Sequence, residues 1–193
     1  MVDTKQIRAL LRANFRIMGK VTIDENYKIS VTGDVKLKKA GVISPEIQFL
    51  EVTGNFECRD NPRIQSLRGA PQIVGSWLIC DNNPELTSLE GGPKSVGNWV
   101  WLVSNPQLAT LDHFPEHIGG RVTVTYTKTL PLLRTLVAKQ GVSFAEGHNR
   151  RYEMPPPAAV VEILNRYKGQ GQSAAVACAA ALAEAGFKAN ARW

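Results

Sequence analysis

The residues of this 193-residue chain able to carry catalysis or metal binding are its three histidines, three cysteines and the acids beside them. Asp112-His113-Phe114-Pro115-Glu116-His117 sets two imidazoles next to two carboxylates, donor types that suit zinc. The pair flanks a proline in a segment that reads as a return loop, so metal ligation is not expected there. Gly147-His148-Asn149-Arg150 is too short to define a nuclease site. Cys58, Cys80 and Cys178 are odd in number and lack metal-ligand spacing. The chain carries no phosphate loop, no paired nucleophile and base, and no dinucleotide fingerprint. The expectation is a protein that is not an enzyme, with no cofactor and no metal.

The elements that position these residues follow from a repeat. Asn61-Pro62, Asn83-Pro84 and Asn105-Pro106 lie 22 residues apart, and so do Ile64, Leu86 and Leu108, then Leu67, Leu89 and Leu111, then Pro71, Pro93 and Pro115. Phe56, Leu78 and Val100 precede the three asparagines by five residues; Cys58, Cys80 and Leu102 precede them by three. One further step of 22 reaches Val122, Val124, Leu130 and Leu133, with Thr127 in place of Asn. Upstream, Val21-x-Ile23-x-x-Asn26 and Val35-x-Leu37-x-x-Ala40 fit the frame with shorter spacing. A glycine precedes each strand, at Gly19, Gly33, Gly54, Gly75, Gly97 and Gly119, giving about six coils.

Alternating apolar residues make a short strand with one buried face. The asparagine turns the chain, and its amide can bond backbone groups that lack ladder partners. The leucines bury the far side of the coil, and Gly and Pro return the chain. One coil cannot bury its own apolar edge, so coils must stack as a parallel sheet with strands about 4.8 Å apart. Cys58 and Cys80 then stack inward in adjacent coils, close enough for a disulfide that a reducing compartment would not favour.

The segments Phe56-Glu-Cys-Arg-Asp-Asn-Pro-Arg-Ile-Gln-Ser-Leu67 and Leu78-Ile-Cys-Asp-Asn-Asn-Pro-Glu-Leu-Thr-Ser-Leu89 resemble the leucine-rich-repeat family in a short, helix-free form. Leu-Thr-Ser-Leu-Glu-Gly-Gly-Pro-Lys-Ser-Val-Gly is similar to small repeat proteins of bacteriophages and some bacteria. The resemblance covers roughly residues 19–135. It departs from the commonest pattern by one extra residue after Asn and by the missing Asn in the second and last coils. It implies a binding scaffold and names no partner. The fold class expected is therefore a repeat solenoid of leucine-rich-repeat-like parallel β coils with α-helical N- and C-terminal caps, α+β overall.

Caps are needed because an open solenoid exposes raw sheet edges. Residues 3–17 read as an amphipathic helix with Ile7, Leu10, Leu11 and Phe15 on one face and Lys5, Arg8, Arg12 and Arg16 on the other, capped by Asp3 or Thr4. The units expected are a capping helix over 1–18, the solenoid over 19–135 and a helical region over 136–193. In the last, residues 131–139 suggest a helical turn, 157–167 a helix entered through Pro155-Pro156-Pro157, and Ser173 to Gly186 an alanine-rich helix. That second helix is nearly uncharged, unlike one that reads base edges.

Strand parity sorts the remaining side chains. With Leu78 and Cys80 inward, Trp77, Ile79 and Asp81 point outward, as do Trp99, Trp101 and Val103. Stacking then gives the columns Asn55-Trp77-Trp99-Arg121 and Glu57-Ile79-Trp101-Thr123, rimmed by Arg59, Asp81 and Arg121. Exposed apolar patches mark interfaces, and Trp and Arg are preferred anchors. Three occupants fit the face: a host protein or protein complex, the C-terminal helices, or a second copy in a homodimer. With the phage resemblance, the leading expectation is a protein-binding module that inhibits or modulates a host defence complex.

Charge offers the alternative. Residues 1–46 carry +4, residues 47–121 carry −3 and residues 122–193 carry +5, for a net charge of +6. The basic ends, Arg8, Arg12, Arg16, Lys36, Lys38 and Lys39 with Arg150, Arg151, Arg166 and Lys168, would suit a nucleic acid. No membrane role is expected: the longest apolar run, Ala174–Ala183, is too short to span a bilayer. Met1-Val-Asp-Thr-Lys-Gln6 has charge where a signal peptide needs an apolar core, so the expected location is the cytoplasm, the host's if the protein is phage-borne.

Overall fold

Each 22-residue repeat forms two short strands joined by a glycine corner. The sequence pattern alone pointed to one. The computed structural model describes residues 3–39, 41–145 and 155–193. In chain order the elements are α1 (Thr4–Asn14), β1 (Phe15–Ile23), β2 (Ile29–Leu37), β3 (Phe49–Val52), β4 (Phe56–Glu57), β5 (Ile73–Val74), β6 (Leu78–Ile79), β7 (Ser95–Val96), β8 (Val100–Leu102), β9 (His117–Ile118), β10 (Val122–Val124), β11 (Val142–Phe144), α2 (Ala158–Arg166) and α3 (Ala175–Glu184). Two 3-10 turns, Leu133–Val137 and Gly171–Ala174, complete the set.

The strands stack as a parallel β-solenoid of about five turns. One wall is the ladder β4-β6-β8-β10-β11, with Phe56, Leu78, Val100, Val122 and Val142 in register. The other is β3-β5-β7-β9, with Val52, Val74, Val96 and Ile118 in register. Strand β2 is long enough to join both walls, pairing with β3 through Ile29–Val31 and with β4 through Val35–Lys36. Between the walls runs a glycine row. A Cβ on Gly97 would meet the Gly75 carbonyl oxygen at 2.0 Å, and one on Gly119 would meet the Gly97 oxygen at 2.1 Å. Only glycine lets successive corners stack so closely.

The asparagines form a buried row just past the ends of β4, β6 and β8, along the first wall. Asn61 N–H donates to Asn83 Oδ1 at 3.0 Å, and Asn83 N–H donates to Asn105 Oδ1 at 3.0 Å. Asn105 Nδ2 in turn donates to the Cys80 carbonyl at 2.8 Å. The residue before each asparagine adopts left-handed backbone: Asp60 at φ 56°, Asn82 at 56° and Ser104 at 57°. That kink turns the chain out of the strand, and the asparagine side chain satisfies the amides it strands in the interior.

The N-terminal end departs from the repeat. The helix stops at Asn14, short of the expected 17, because the apolar period changes from 3.6 at Ile7 and Leu11 to 2 at Phe15, Ile17, Val21 and Ile23. Asp3 caps the helix through a reciprocal pair with Gln6. Val21-x-Ile23-x-x-Asn26 is not a solenoid coil: β1 runs antiparallel to β2 from Phe15↔Leu37 to Ile23↔Ile29. Its turn is fixed by Asp24 Oδ1, which accepts the N–H groups of Asn26 and Lys28, with Tyr27 at φ 59°. Gly19 therefore lies within a strand, opposite Gly33, where the hairpin bends around the corner between the walls.

At the other end the expected helical turn and helices form at Leu133–Val137, α2 and α3. Asn165 of α2 acts as a one-residue strand, accepting Val142 N–H on Oδ1 and donating Nδ2 to Val142 O, each at 3.0 Å. The chain end folds back onto the array. Asn190, 1% exposed, donates Nδ2 to the carbonyls of Thr127 and Leu130, the loop where the array lacks its own asparagine. One continuous apolar core runs from Ile7 to Leu182.

Candidate functional site

The tryptophans sit at and just beyond the corner between the two walls. Trp77 follows Gly75-Ser76 and Trp99 follows Gly97-Asn98, so both lie at the bend that leads into β6 and β8. The 22-residue repeat stacks their indoles face to face, centroids 5.1 Å apart at an interplanar angle of 12°. Trp77 N–H donates to Asn55 Oδ1, and Asn55 N–H to Asp34 Oδ1, which pins the corner to the coils before it. Trp99 lies over Gly120, whose Cβ, if present, would meet the indole Cδ1 at 2.4 Å. Trp101 projects from β8 in register with Ile79 and Thr123. Trp77 and Trp101 remain 38% and 36% exposed, while Trp99 and Ile79 are half-buried.

The row containing Trp101 changes character along the solenoid: Lys36, Glu57, Ile79, Trp101, Thr123 and Ser143 stand side by side. Glu57 is clasped by Lys36 at 2.5 Å and by Arg59. Burial alone would raise its carboxyl, but the hydrogen bonds from Lys36 and Arg59 outweigh it and hold the group below its ordinary range. Thr123 and Ser143 share a 2.9 Å hydroxyl contact, and Arg121 is exposed at the end of the Trp77–Trp99 column.

Three residues placed on this face by strand parity are not displayed: Thr123, 7% exposed beside Ser143, and the pair Val103 and Asp81. Val103 and Asp81 are each only 6% exposed. Strands β6 and β8 end at Ile79 and Leu102, and the left-handed turn begins at Asn82 and Ser104, so in-out alternation has already lapsed at 81 and 103. The C-terminal helices pack chiefly on the 133–137 turn, on β11 and on each other.

The basic residues divide. Arg16 faces Lys36 across the hairpin, and Lys38 Nζ donates to the Arg12 carbonyl, so Arg8, Arg12, Arg16, Lys36, Lys38 and Lys39 gather at one end. Lys20 continues that group and was legible as the fourth member of the spacing 8, 12, 16, 20. Arg150 and Arg151 lie outside the described residues. At the other end Arg166 contacts Glu162 at 3.4 Å, and Lys168 is exposed.

All three cysteines are buried. Cys58 and Cys80 are buried free thiols with sulfurs 2.9 Å apart; that contact, then burial, pushes the Cys58 thiol well up. Burial pushes Cys178 up to about 11. No group of three His, Cys, Asp or Glu among the described residues could hold a metal ion. A cavity of 420 Å³ opens between the Asn105 and Thr127 loops beside Leu102, Val124 and Tyr126. Its polar groups are committed within the loops, Thr125 Oγ1 to Ser104 N–H and Thr127 Oγ1 to Leu130 N–H.

The class that fold and site define is a parallel β-solenoid of stacked coils with an aromatic corner. Comparison with known proteins finds no matching family, no matching curated protein and no matching solved structure. No helix among the described residues is long and apolar enough to cross a membrane.

Proposed function

We propose that this chain is a non-enzymatic protein-binding module of leucine-rich-repeat type that docks a protein partner on Trp77, Trp99 and Trp101. The carrying observation is the indole stack, with Trp77 exposed and Trp99 half-buried, held on backbone that carries the glycine and asparagine rows. Burying such rings against a partner releases water from large apolar faces at little conformational cost, which is why Trp and Arg dominate binding hot spots. Arg59 and Arg121 supply the polar rim, while Ile79 stands in register with Trp101 in the neighbouring row. Val103 and Asp81 take no direct part. In this reading α1 and β1 cap the N-terminal end, and the protein works in the cytoplasm. The narrower form, a phage-encoded inhibitor of a host defence complex, rests on the resemblance of the repeat strings.

The test is affinity purification from a bacterial lysate with the wild type and with Trp77→Ala/Trp99→Ala/Trp101→Ala, followed by mass spectrometry. A protein captured by the wild type and lost by a folded triple variant supports the reading. Equal capture by both removes the corner as the docking surface.

A further inference from the structure

A second surface lies at the opposite end of the solenoid from the C-terminal helices. Arg8 and Arg12 stand one helical turn apart on α1; Arg16 and Lys20 stand on the same outward side of β1. All four are exposed. Between residues 4 and 23 these cations and Lys5 meet no carboxylate in sequence; across the hairpin Asp34 stands opposite Met18, with its Oδ1 accepting Asn55 N–H. The ion pairs among the described residues join Lys36 and Arg59 to Glu57, Arg68 to Glu90, Arg134 to Asp112 and Arg166 to Glu162, and they leave all four ridge cations out.

The arrangement works against local stability. Like charges at i and i+4 on a helix repel, as Arg8 and Arg12 do. Like charges directly opposite in an antiparallel pair also repel, as Arg16 and Lys36 do, although Glu57 offsets part of this by pairing with Lys36. The Asp3–Gln6 capping box and the Lys38 bond to the Arg12 carbonyl hold helix and hairpin in this geometry. A fold that keeps a cationic ridge rigid at a cost to itself has a use for the field it makes.

We infer that the ridge Arg8-Arg12-Arg16-Lys20 binds the phosphate backbone of a nucleic acid. The occupant is a polyanion because four exposed cations recur at every fourth residue along α1 and β1: about 6 Å along the helix from Arg8 to Arg12, and about 13 Å along the strand from Arg16 to Lys20. Contacts to phosphates carry no direct sequence information, so the binding is expected to be independent of base sequence. Row by row, Arg16 lies four strands from Trp101, about 19 Å away. The ridge is thus a separate surface, and its failure would leave the tryptophan reading untouched.

The experiment is fluorescence anisotropy of the full chain with a labelled 20-nucleotide oligo(dT) and a labelled 20-base-pair duplex, titrated over salt. Four phosphate contacts predict log–log salt slopes of about −3.6 for duplex and about −2.8 for single strand. Duplex affinity should then fall about 150-fold between 50 and 200 mM salt. Replacing Arg8, Arg12, Arg16 and Lys20 together by Gln should abolish the slope. Replacing Lys94, Lys128, Lys139 and Lys188 by Gln removes the same charge elsewhere and should leave it. Should the ridge variant lose its circular dichroism signature, Arg12→Gln and Lys20→Gln singly should each reduce the slope by about one. Three outcomes overturn the inference: no binding of either oligonucleotide at 25 mM salt, equal loss in both quadruple variants, or binding only to phosphatidylserine vesicles.

Discussion

Two rows recur with the same 22-residue period and have opposite fates. Asn61, Asn83 and Asn105 point inward, are at most 8% exposed and bond one another from coil to coil. Trp77 and Trp99, a few residues earlier in the same coils, stack outward at the corner. Burial turns a polar side chain into a structural requirement, because a stranded N–H in the interior costs more than a bond gains. Exposure turns an apolar side chain into an unspent binding surface. The inner row should therefore govern stability and the outer row recognition.

Breaking the inner row should have the largest effect. Asn83→Ala deprives Asn61 N–H of its acceptor inside the core and should destabilise the fold by about 3 kcal/mol. A urea titration reads this directly; a loss under 1 kcal/mol would mean water serves that amide. Next comes Asn190→Ala, which strands the Thr127 and Leu130 carbonyls at the array's end, with an expected loss of about 2 kcal/mol. An unchanged melting curve would show the tail to be incidental to the row.

The outer row should tolerate the same treatment. Trp77→Ala removes a ring that is 38% exposed and should cost about 1 kcal/mol of stability, while weakening partner binding about 30-fold. The smallest effect belongs to Glu57. Its carboxyl is held below the ordinary value of 4.5, so its ion pairs contribute stability above that pH and lose it as pH falls through the lowered value. Glu57→Gln should cost roughly 0.5 kcal/mol at pH 7 and flatten the acid limb of the stability curve.

The solenoid was legible because its columns keep phase: Val122 stacks on Val100 as the count of 22 requires. The second wall was not, since Ile73-Val74, Ser95-Val96 and His117-Ile118 are only two residues each and share no polar pattern. The N-terminal hairpin reads as a coil in sequence because Val21 and Ile23 satisfy the strand pattern in either direction, and pairing sense is carried by the Asp24 turn. Asn165 and Asn190 act across the fold, and nothing in their local sequence marks them as stand-ins for a strand and a repeat asparagine. Within the site, parity placed Trp77, Ile79, Trp99 and Trp101 on one surface but overran the strand ends at Asp81 and Val103 and missed the burial of Thr123 beside Ser143.

The central claim, that the corner indoles are the docking surface, is tested most directly by one affinity purification. The wild type, Trp77→Ala/Trp99→Ala/Trp101→Ala and Asn190→Ala are run side by side at a temperature where all three are folded. A bound protein should persist with Asn190→Ala and disappear with the triple variant. A partner that the folded triple variant still retains at wild-type levels would contradict the claim.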